Sequence, residues 1–333
     1  MKIDDFRPEK GYGSTRVVGV MTALNKVLPL GAVAIALTLA PAAWAARFTD
    51  TIVVIDESGS MSGEHDWIRG MINDLDVALQ AAGVTNNQYG LVGYGGLSDN
   101  LLGYSYNVGS GSSLFGSASD FASATNQLTA SGGFEDGYQA LNHALNEYTF
   151  REGAAVNLIL VTDEDRDIHP DFNHLTYQTI LDEFQEENNA LLNAVLSYNF
   201  ADGSGNQALG VDHQGNAYRA DGTGGFIKTA GGVAVSEANP RDNSTNKTDY
   251  VDLAWATNGA AWDLNLLRAG GDTATSFTNA FVDVKVKEIT THPGGPTAVP
   301  EPGTVLGLVG MGAFGVASAL KRKHKREIAS PSD

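Results

Sequence analysis

The stretch VVIDESGSMSG, residues 53–63, places three oxygen donors at alternate positions where an apolar run ends. Asp56 closes the run, Ser58 and Ser60 follow, and a helical pattern begins directly afterwards. A carboxylate and two hydroxyls in this spacing could cap a helix, cradle a phosphate, hold a metal ion or take part in catalysis. Each role makes a different demand on the neighbouring residues.

Capping, phosphate binding and catalysis all fit this stretch poorly. A serine can cap the following helix, but that leaves Asp56 unexplained. A phosphate-binding loop requires G-x-x-x-x-G-K-[ST], which the sequence lacks. A serine hydrolase has its nucleophile at the centre of G-x-S-x-G, where GSMSG has Met61. A phosphotransferase of the haloacid-dehalogenase type has D-x-D, and here Ser58 stands at the second position.

A metal site fits this stretch best, because Mg²⁺ accepts carboxylate, hydroxyl and water oxygens. A second apolar run, residues 154–162, ends at Asp163 in the same way. If the two runs are neighbouring parallel strands, their carboxyl ends meet at one sheet edge and the two carboxylates converge. Neutral hydroxyl ligands would leave the ion short of negative charge. Such an ion is expected to recruit a carboxylate from a partner.

The body of the chain, residues 46–290, alternates apolar runs with helical patterns, which predicts an α/β fold with an open, mostly parallel central sheet flanked by helices. Residues 201–249 are rich in Gly, Asn and Asp and predict a β-rich insertion, with Asp202 as a turn residue. The predicted strands are 51–55, 88–95, 101–108, 154–162, 190–200 and 251–257. The predicted helices are 67–79, 119–128, 135–148, 175–187, 260–268 and 272–289.

Two segments of the chain resemble a known protein family. VVIDESGSMS resembles the D-x-S-x-S metal-ion-dependent adhesion site of von Willebrand factor A domains, and LILVTDEDRD is similar to that family's later strand with its acidic ligand. The resemblance implies a divalent cation, Mg²⁺ or else Ca²⁺ or Mn²⁺, and no catalysis. It implies Asp56, Ser58 and Ser60 as ligands, direct or through water. Asp163 would act from the second strand through water.

One position departs from the family pattern. The family supplies a threonine from a GGT loop before a helix, whereas this chain reads SGGFEDGYQAL with Phe134 at that position. Glu135 is a candidate replacement ligand, and Ser131 and Thr129 are alternatives. A glutamate would add negative charge and so weaken the recruitment of an acidic partner.

Composition and charge exclude several classes of function. The chain has 333 residues and no cysteine, so thiolate metal sites and cysteine nucleophiles are excluded. The net charge is −18, with +2 in residues 1–45, +3 in residues 321–333 and therefore −23 in residues 46–320. A body this acidic is repelled by nucleic acid and attracts divalent cations.

The N-terminal segment has the pattern of a secretory signal peptide, predicted for residues 1–45. An apolar run from Val27 to Ala40 follows Lys26, and small residues stand at Ala43 and Ala45. The pattern predicts export with cleavage after Ala45. The residues before Met21 form an unusually long and partly acidic start, so Met21 is the expected true start.

The C-terminal segment resembles a PEP-CTERM sorting signal. A linker with the PEP motif, residues 291–302, precedes the uncharged run 303–320 and the basic tail 321–333. Eighteen residues of helix would span about 27 Å, close to a bilayer core. A permanent anchor is the plain alternative. The resemblance implies a transient membrane intermediate, removal by an exosortase, and release to the surface or matrix of a Gram-negative bacterium that makes exopolysaccharide.

Together these patterns predict an exported, surface-sorted protein that is not an enzyme. It would bind a divalent cation and, through it, an acidic group of a protein or polysaccharide partner. Two alternatives stay open. One is a structural matrix protein with a degenerate metal site. The other is a metal-assisted hydrolase, with Glu57, Glu135 or Asp136 as the candidate general base.

Overall fold

The structure is a computed structural model that describes residues 48–96, 102–168, 174–238 and 245–292. The predicted signal peptide, the PEP motif, the uncharged run 303–320 and the basic tail lie outside these ranges. Within them, every helix is too short or too polar to cross a membrane.

The described residues form a sheet of nine strands and a second sheet of three. The strands are β1 (Thr49–Asp56), β2 (Gln88–Tyr94), β3 (Tyr104–Tyr106), β4 (Ala155–Thr162), β5 (Leu191–Leu196), β6 (Tyr198–Ala201), β7 (Gln207–Ala208), β8 (Gly210–Asp212), β9 (Asn216–Ala220), β10 (Phe226–Ala230), β11 (Val233–Glu237) and β12 (Ala260–Asp263). The helices are α1 (Ser62–Ala81), α2 (Ala118–Ala124), α3 (Gly137–Glu147), α4 (Tyr177–Glu186), α5 (Asp252–Ala256), α6 (Leu264–Arg268) and α7 (Gly271–Thr291).

The strand order of the large sheet is β10-β9-β8-β12-β5-β4-β1-β2-β3. The central strands β12, β5, β4, β1 and β2 run parallel, and antiparallel strands close both edges. The predicted fold class is confirmed: this is an open, mostly parallel α/β sheet flanked by helices. Because β1 and β4 are neighbours, Asp56 and Asp163 lie at the same edge.

Helices cover both faces of the sheet, which is why all eight residues of β1 are buried. Val53 and Ile55 pack with α1, α2 and α7 on one face, whereas Ile52 and Val54 pack with α3, α4 and α5 on the other. The helical spacing predicted for α1 is borne out by its buried apolar side chains, which are Ile68, Met71, Ile72, Leu75 and Leu79. These two hydrophobic clusters, one on each face of the sheet, fix the ends of the central strands and the loops that follow them.

The predicted strand at 251–257 is wrong. This segment is helical, with a π-helical turn (Lys247–Val251) leading into α5. A short apolar run fits either a strand or a helix by periodicity alone, and here one helical face accounts for the pattern. Its buried members are Tyr250, Val251, Leu253 and Ala254.

The predicted helix at 260–268 begins too early. Residues Ala260–Asp263 form the buried strand β12, and only Leu264–Arg268 is helical. Asp263 Oδ1 accepts a hydrogen bond of 2.9 Å from Asn265 N and so caps α6. This strand also ends in an aspartate, but the two alanines and the tryptophan of AAWD gave no clear strand pattern in the sequence. The predicted strand at 190–200 is divided between β5 and β6, which belong to different sheets.

Residues 198–237 form strands β6 to β11. Three turns in this region share one arrangement, in which an aspartate Oδ1 accepts hydrogen bonds from the backbone nitrogens two and four residues later. The residue before the last of these is a glycine with φ of 80°, 74° or 88°. Asp202 begins the first of these turns, so its prediction as a turn residue is confirmed.

Candidate metal site

Asp56 lies fully buried at the carboxyl end of β1. Its Oδ1 accepts a hydrogen bond of 2.7 Å from Ser58 N, and its Oδ2 accepts one of 2.8 Å from Thr162 Oγ1. The pKa of Asp56 is raised to about 7, mainly by burial. The charge of Asp163 also raises this pKa, whereas the hydrogen bonds from Ser58 and Thr162 lower it. Asp56 is therefore held in place by two hydrogen bonds, while burial disfavours its charged form.

Ser58, Ser60 and Asp163 continue from this carboxylate as a chain of side-chain oxygens. Ser58 Oγ lies 3.1 Å from Ser60 Oγ, which donates a hydrogen bond of 2.9 Å to Asp163 Oδ1. Ser58 is almost buried and Ser60 is exposed, so the chain runs from the interior to solvent. The structure thus brings together the four residues that the D-x-S-x-S pattern and the second strand predicted.

Arg268 closes one side of this chain. Its Nη1 donates to Asp163 Oδ2 at 2.9 Å, and its Nη2 donates to the Ser60 carbonyl oxygen at 3.1 Å. Its Nε and Nη2 also hold the buried Glu64 carboxylate, at 2.8 and 3.2 Å. A fixed positive charge from the end of α6 therefore lies beside the candidate ligands.

Glu135 approaches Asp56 from the loop before α3. Gly95, which has φ +72°, lies between the two side chains: a Cβ there would lie 3.1 Å from Asp56 Oδ1 and 3.2 Å from Glu135 Cγ. Burial first, and then the charges of Asp56, Glu164 and Asp167, together raise the pKa of Glu135 to about 8. The charges of Glu135 and Asp56 therefore interact across the Gly95 backbone.

An ion pair holds the loop that carries Glu135. Arg166 Nε and Nη2 donate to Asp136 at 2.6 and 3.2 Å, and both side chains are buried. The guanidinium also lies over the Tyr138 ring, 4.1 Å from its centroid. Asp136 Oδ1 accepts from Tyr138 N and so caps α3. Since Glu135 precedes this cap directly, the pair fixes where the glutamate backbone lies.

The alternative residues of this loop contact Glu57. Thr129 donates to Glu57 Oε1 through its backbone nitrogen at 2.6 Å and its hydroxyl at 3.1 Å, and Ser131 N donates to the Glu57 carbonyl oxygen. Tyr106 donates to the same Oε1 at 2.8 Å. Glu57 and Asp136, nominated as general bases for a hydrolase, therefore accept several hydrogen bonds that hold the surrounding loops.

The donors at this site suit a hard divalent cation. They are carboxylates and hydroxyls from three separate segments, without sulfur or imidazole, and two of the carboxylates have raised pKa values. In the described ranges no group of three or more His, Cys, Asp or Glu side chains is arranged to hold a metal.

Sequence comparison identifies the C-terminal segment. Residues 298–323 match the model of the PEP-CTERM protein-sorting motif. The chain carries a PEP-CTERM sorting motif. The predicted sorting signal is confirmed, and it implies recognition by an exosortase together with export and sorting to the cell envelope or surface. No curated protein matches the chain.

Three solved structures are similar to this chain. An aerotolerance-related membrane protein from Bacteroides fragilis NCTC 9343, with multiple mutations to serines, is 13% identical over 71% of this chain and 98% of its own, with a TM-score of 0.36. The conserved hypothetical protein BatB from Bacteroides thetaiotaomicron is 14% identical over 72% and 99%, with a TM-score of 0.38. Proximal thread matrix protein 1 from the mussel byssus is 17% identical over 46% and 37%, with a TM-score of 0.34. Likenesses this distant say nothing about ligand or activity.

Several residues of the candidate site have little or no signal in the sequence. Thr162 had a local signal, because it stands directly before Asp163 in the VTD segment. Arg268 and Glu64 are separated by 204 residues along the chain, and only the folded structure brings them together. Gly95 carried no motif. Gly95 matters because the Asp56 and Glu135 side chains lie close to its backbone, and a single sequence does not reveal such a contact.

Proposed function

We propose that the α/β domain binds a divalent cation, Mg²⁺ or else Ca²⁺ or Mn²⁺, at Asp56, Ser58, Ser60 and Asp163. Glu135 is the candidate fifth ligand. Through the cation the domain would bind an acidic group of a partner protein or polysaccharide outside the cell. The sorting motif supports this setting, since it directs the protein to the envelope or surface.

The chain of oxygens from Asp56 to Asp163 carries this proposal. One link of 3.1 Å joins Ser58 Oγ to Ser60 Oγ, and one of 2.9 Å joins the exposed Ser60 to Asp163, which lies 103 residues later in the sequence. With Asp163 acting through water, the direct donors Asp56, Ser58 and Ser60 carry one negative charge, so a bound divalent cation would keep positive charge on its solvent side; Glu135 as a ligand would reduce that charge. A carboxylate from a partner is the natural group to neutralise it.

A structural role with a degenerate site is the second candidate. The observation that favours it is the pairing of Arg268 with Asp163, because a guanidinium already neutralises one candidate ligand. Phe134 in place of the family threonine favours it as well. In this version the oxygens and Arg268 form a polar network that stabilises the strand ends, and cation affinity would be absent.

Calorimetric titration of Mg²⁺, Ca²⁺ and Mn²⁺ into the purified chain separates the two candidates. We expect saturable binding of one ion, lost in Asp56→Asn, which keeps the shape of the side chain, and weakened at least about tenfold in Ser60→Ala. Ser204→Ala, an exposed hydroxyl in a hairpin turn, is the matched control and should bind as the parent does. A parent that binds none of the three ions would overturn the proposal and leave the structural role.

The partner class can be tested on the same proteins. Immobilised acidic and neutral polysaccharides would be compared with and without a chelator. We expect retention on the acidic polymer alone, lost on chelation and in Asp56→Asn. Retention that survives both treatments would mean that the acidic group binds elsewhere.

A further inference from the structure

Lys285, on α7, is fully buried. Lysine is rarely buried completely, and an amine removed from water is a potential nucleophile. Its Nζ donates to Asn157 Oδ1 at 2.9 Å and lies 3.0 Å from Glu288 Oε2. An amine, an amide and a carboxyl group, contributed by α7 and by the central strand β4, therefore meet in the interior.

The Asn157 side chain is held with its carbonyl oxygen toward the amine. It is fully buried, and its Nδ2 donates to Thr49 Oγ1 at 2.9 Å and to the Ala155 carbonyl oxygen at 3.0 Å. Because a carbonyl bond is about 1.2 Å long, Lys285 Nζ lies at most about 4.1 Å from Asn157 Cγ, close to the roughly 3–3.5 Å of a near-attack arrangement. A small movement of the lysine side chain brings the two atoms together.

Glu288 is placed to move a proton between these groups. Its side chain is 8% exposed, and its Oε2 accepts a hydrogen bond of 2.8 Å from Asn193 Nδ2 as well as one from Lys285. Asn193 Oδ1 in turn accepts from Trp262 Nε1 at 3.0 Å, which fixes this amide. Glu288 Oε1 is buried without a hydrogen-bond partner among the described residues, so a proton can reside there without displacing another donor.

Burial favours the uncharged forms of both groups. It lowers the pKa of Lys285 and raises the pKa of Glu288, and the attraction between the two charges opposes these shifts only in part. A neutral amine carries the lone pair that attacks a carbonyl carbon, and a neutral carboxyl group can give a proton to a leaving nitrogen. The buried pair thus favours the protonation states that amide formation requires.

We propose that Lys285 and Asn157 form an intramolecular isopeptide bond, with Glu288 as the catalytic acid–base. Lys285 Nζ attacks Asn157 Cγ, and a new C–N bond forms. One proton of Nζ passes through Glu288 to Asn157 Nδ2, the Cγ–Nδ2 bond breaks, and ammonia leaves. The products are a secondary amide and one molecule of ammonia, so the reaction needs no oxidant and no further reactant. Contact enforced by the folded core replaces the high concentration that this reaction needs in solution.

The bond would join the central sheet to the last helix before the sorting motif. It connects residues that are 128 positions apart in the sequence, and α7 ends at Thr291, shortly before the motif at residues 298–323. A covalent link that closes such a long loop lowers the entropy of the unfolded chain and so opposes unfolding. The chain has no cysteine, so this bond would supply a cross-link that disulfides cannot provide here.

Mass spectrometry of the full chain, purified after folding and then denatured, tests the proposal. We expect a mass lower than that of the sequence by one ammonia molecule. Trypsin should release residues 152–166 and 269–287 as one linked species, without cleavage after Lys285. An unchanged mass would overturn the proposal. A loss of ammonia confined to a single peptide would also overturn it, because that loss would be succinimide formation at an asparagine.

Three variants assign the roles of the residues. Lys285→Arg keeps the positive charge but lacks the amine, so its mass should equal that of its sequence. Glu288→Gln removes the proton carrier and should slow formation of the link at least about 100-fold. Lys287→Arg, at an exposed position on the same helix, is the matched control and should form the link as the parent does.

Two results with these variants would contradict the assignment. One is a loss of ammonia that persists in Lys285→Arg. The other is a link that forms in Glu288→Gln at the rate of the parent, which would remove the glutamate from the reaction. Should Glu288→Gln fail to fold, the linked peptides of the parent, compared with Lys285→Arg and Lys287→Arg, decide whether the bond exists.

Discussion

Arg268 Nη1 lies 2.9 Å from Asp163 Oδ2, and the same guanidinium holds the Glu64 carboxylate through two hydrogen bonds. The Arg268 side chain is 31% exposed, whereas Glu64 is 5% exposed. Since Asp163 Oδ1 also accepts from Ser60, both oxygens of this carboxylate have partners within the protein. A cation that uses Asp163 must therefore compete with an arginine from α6.

Arg268→Gln should lower stability and strengthen cation binding together. The free energy of unfolding should fall by about 2 kcal/mol, because the buried Glu64 carboxylate loses its counter-charge. The affinity for Mg²⁺ should rise severalfold, because a fixed positive charge no longer repels the ion. Urea denaturation and calorimetry measure the two effects on one protein.

The matched control is Lys247→Gln. Lys247 forms an ion pair with Asp252 in which both side chains are exposed, at 45% and 36%, so its loss should cost less than about 1 kcal/mol and leave cation binding unchanged. If Arg268→Gln weakened Mg²⁺ binding instead, Arg268 would be helping to build the site rather than competing at it.

Cation binding should depend on pH in a defined direction. Burial raises the pKa of Asp56 to about 7 and that of Glu135 to about 8, so the cation-free protein holds protons there at pH 7. A cation must displace them, and its affinity should therefore rise from pH 6 to about pH 9 and then level off. Calorimetry in two buffers with different ionisation enthalpies would measure the released protons. Equal heats in both buffers at pH 7 would contradict the assignment.

The same two carboxyl groups should affect the stability of the cation-free protein. Both folded-state pKa values lie above the ordinary values of 3.8 and 4.5, so the folded state binds more protons than the unfolded state between about pH 4 and pH 8. Their contribution to stability is complete below about pH 4 and is lost as the pH rises through 7 and 8. A saturating divalent cation at pH 8 should restore it, which urea denaturation with and without the ion would detect.

The fold class and the site core could be predicted because their signals are local. An apolar strand that ends in an acidic residue appears at Asp56 and again at Asp163, and a parallel sheet places the ends of neighbouring strands together. The alternating hydroxyls of Ser58 and Ser60 then identify the donor type. Each of these inferences needed fewer than about fifteen consecutive residues.

The parts that could not be predicted depend on contacts distant in sequence. The segments 251–257 and 260–268 are short and apolar, and only their packing against β5 and β8 decides which is strand and which is helix. Arg268 reaches Asp163 across 105 residues, and Glu288 reaches Asn193 across 95. A single sequence gives no measure of such pairings.

The Asp136–Arg166 pair should dominate the stability of the site loops. Arg166→Gln leaves the buried Asp136 without its counter-charge and removes the contact with the Tyr138 ring. The free energy of unfolding should therefore fall by about 3 kcal/mol or more. Lys287→Gln is the matched control, because the Lys287–Asp283 pair is exposed, and its effect should stay under about 1 kcal/mol. Equal losses in both variants would show that burial does not decide the strength of these pairs.

Gly95 and Gly83 offer a controlled test of how closely Glu135 must approach Asp56. Both glycines have positive φ, +72° and +84°, so either alanine variant bears a similar backbone cost of about 1 kcal/mol. Only at Gly95 would the new Cβ meet other atoms, with Asp56 Oδ1 at 3.1 Å and Glu135 Cγ at 3.2 Å.

Gly95→Ala should therefore lose more stability than Gly83→Ala and should also weaken Mg²⁺ binding, because the methyl group pushes the Glu135 loop away from Asp56. Denaturation curves and calorimetric titrations of the two variants would be measured side by side. If Gly95→Ala lost stability but kept full cation affinity, Glu135 would not be a ligand, and the site would consist of Asp56, Ser58, Ser60 and Asp163 alone.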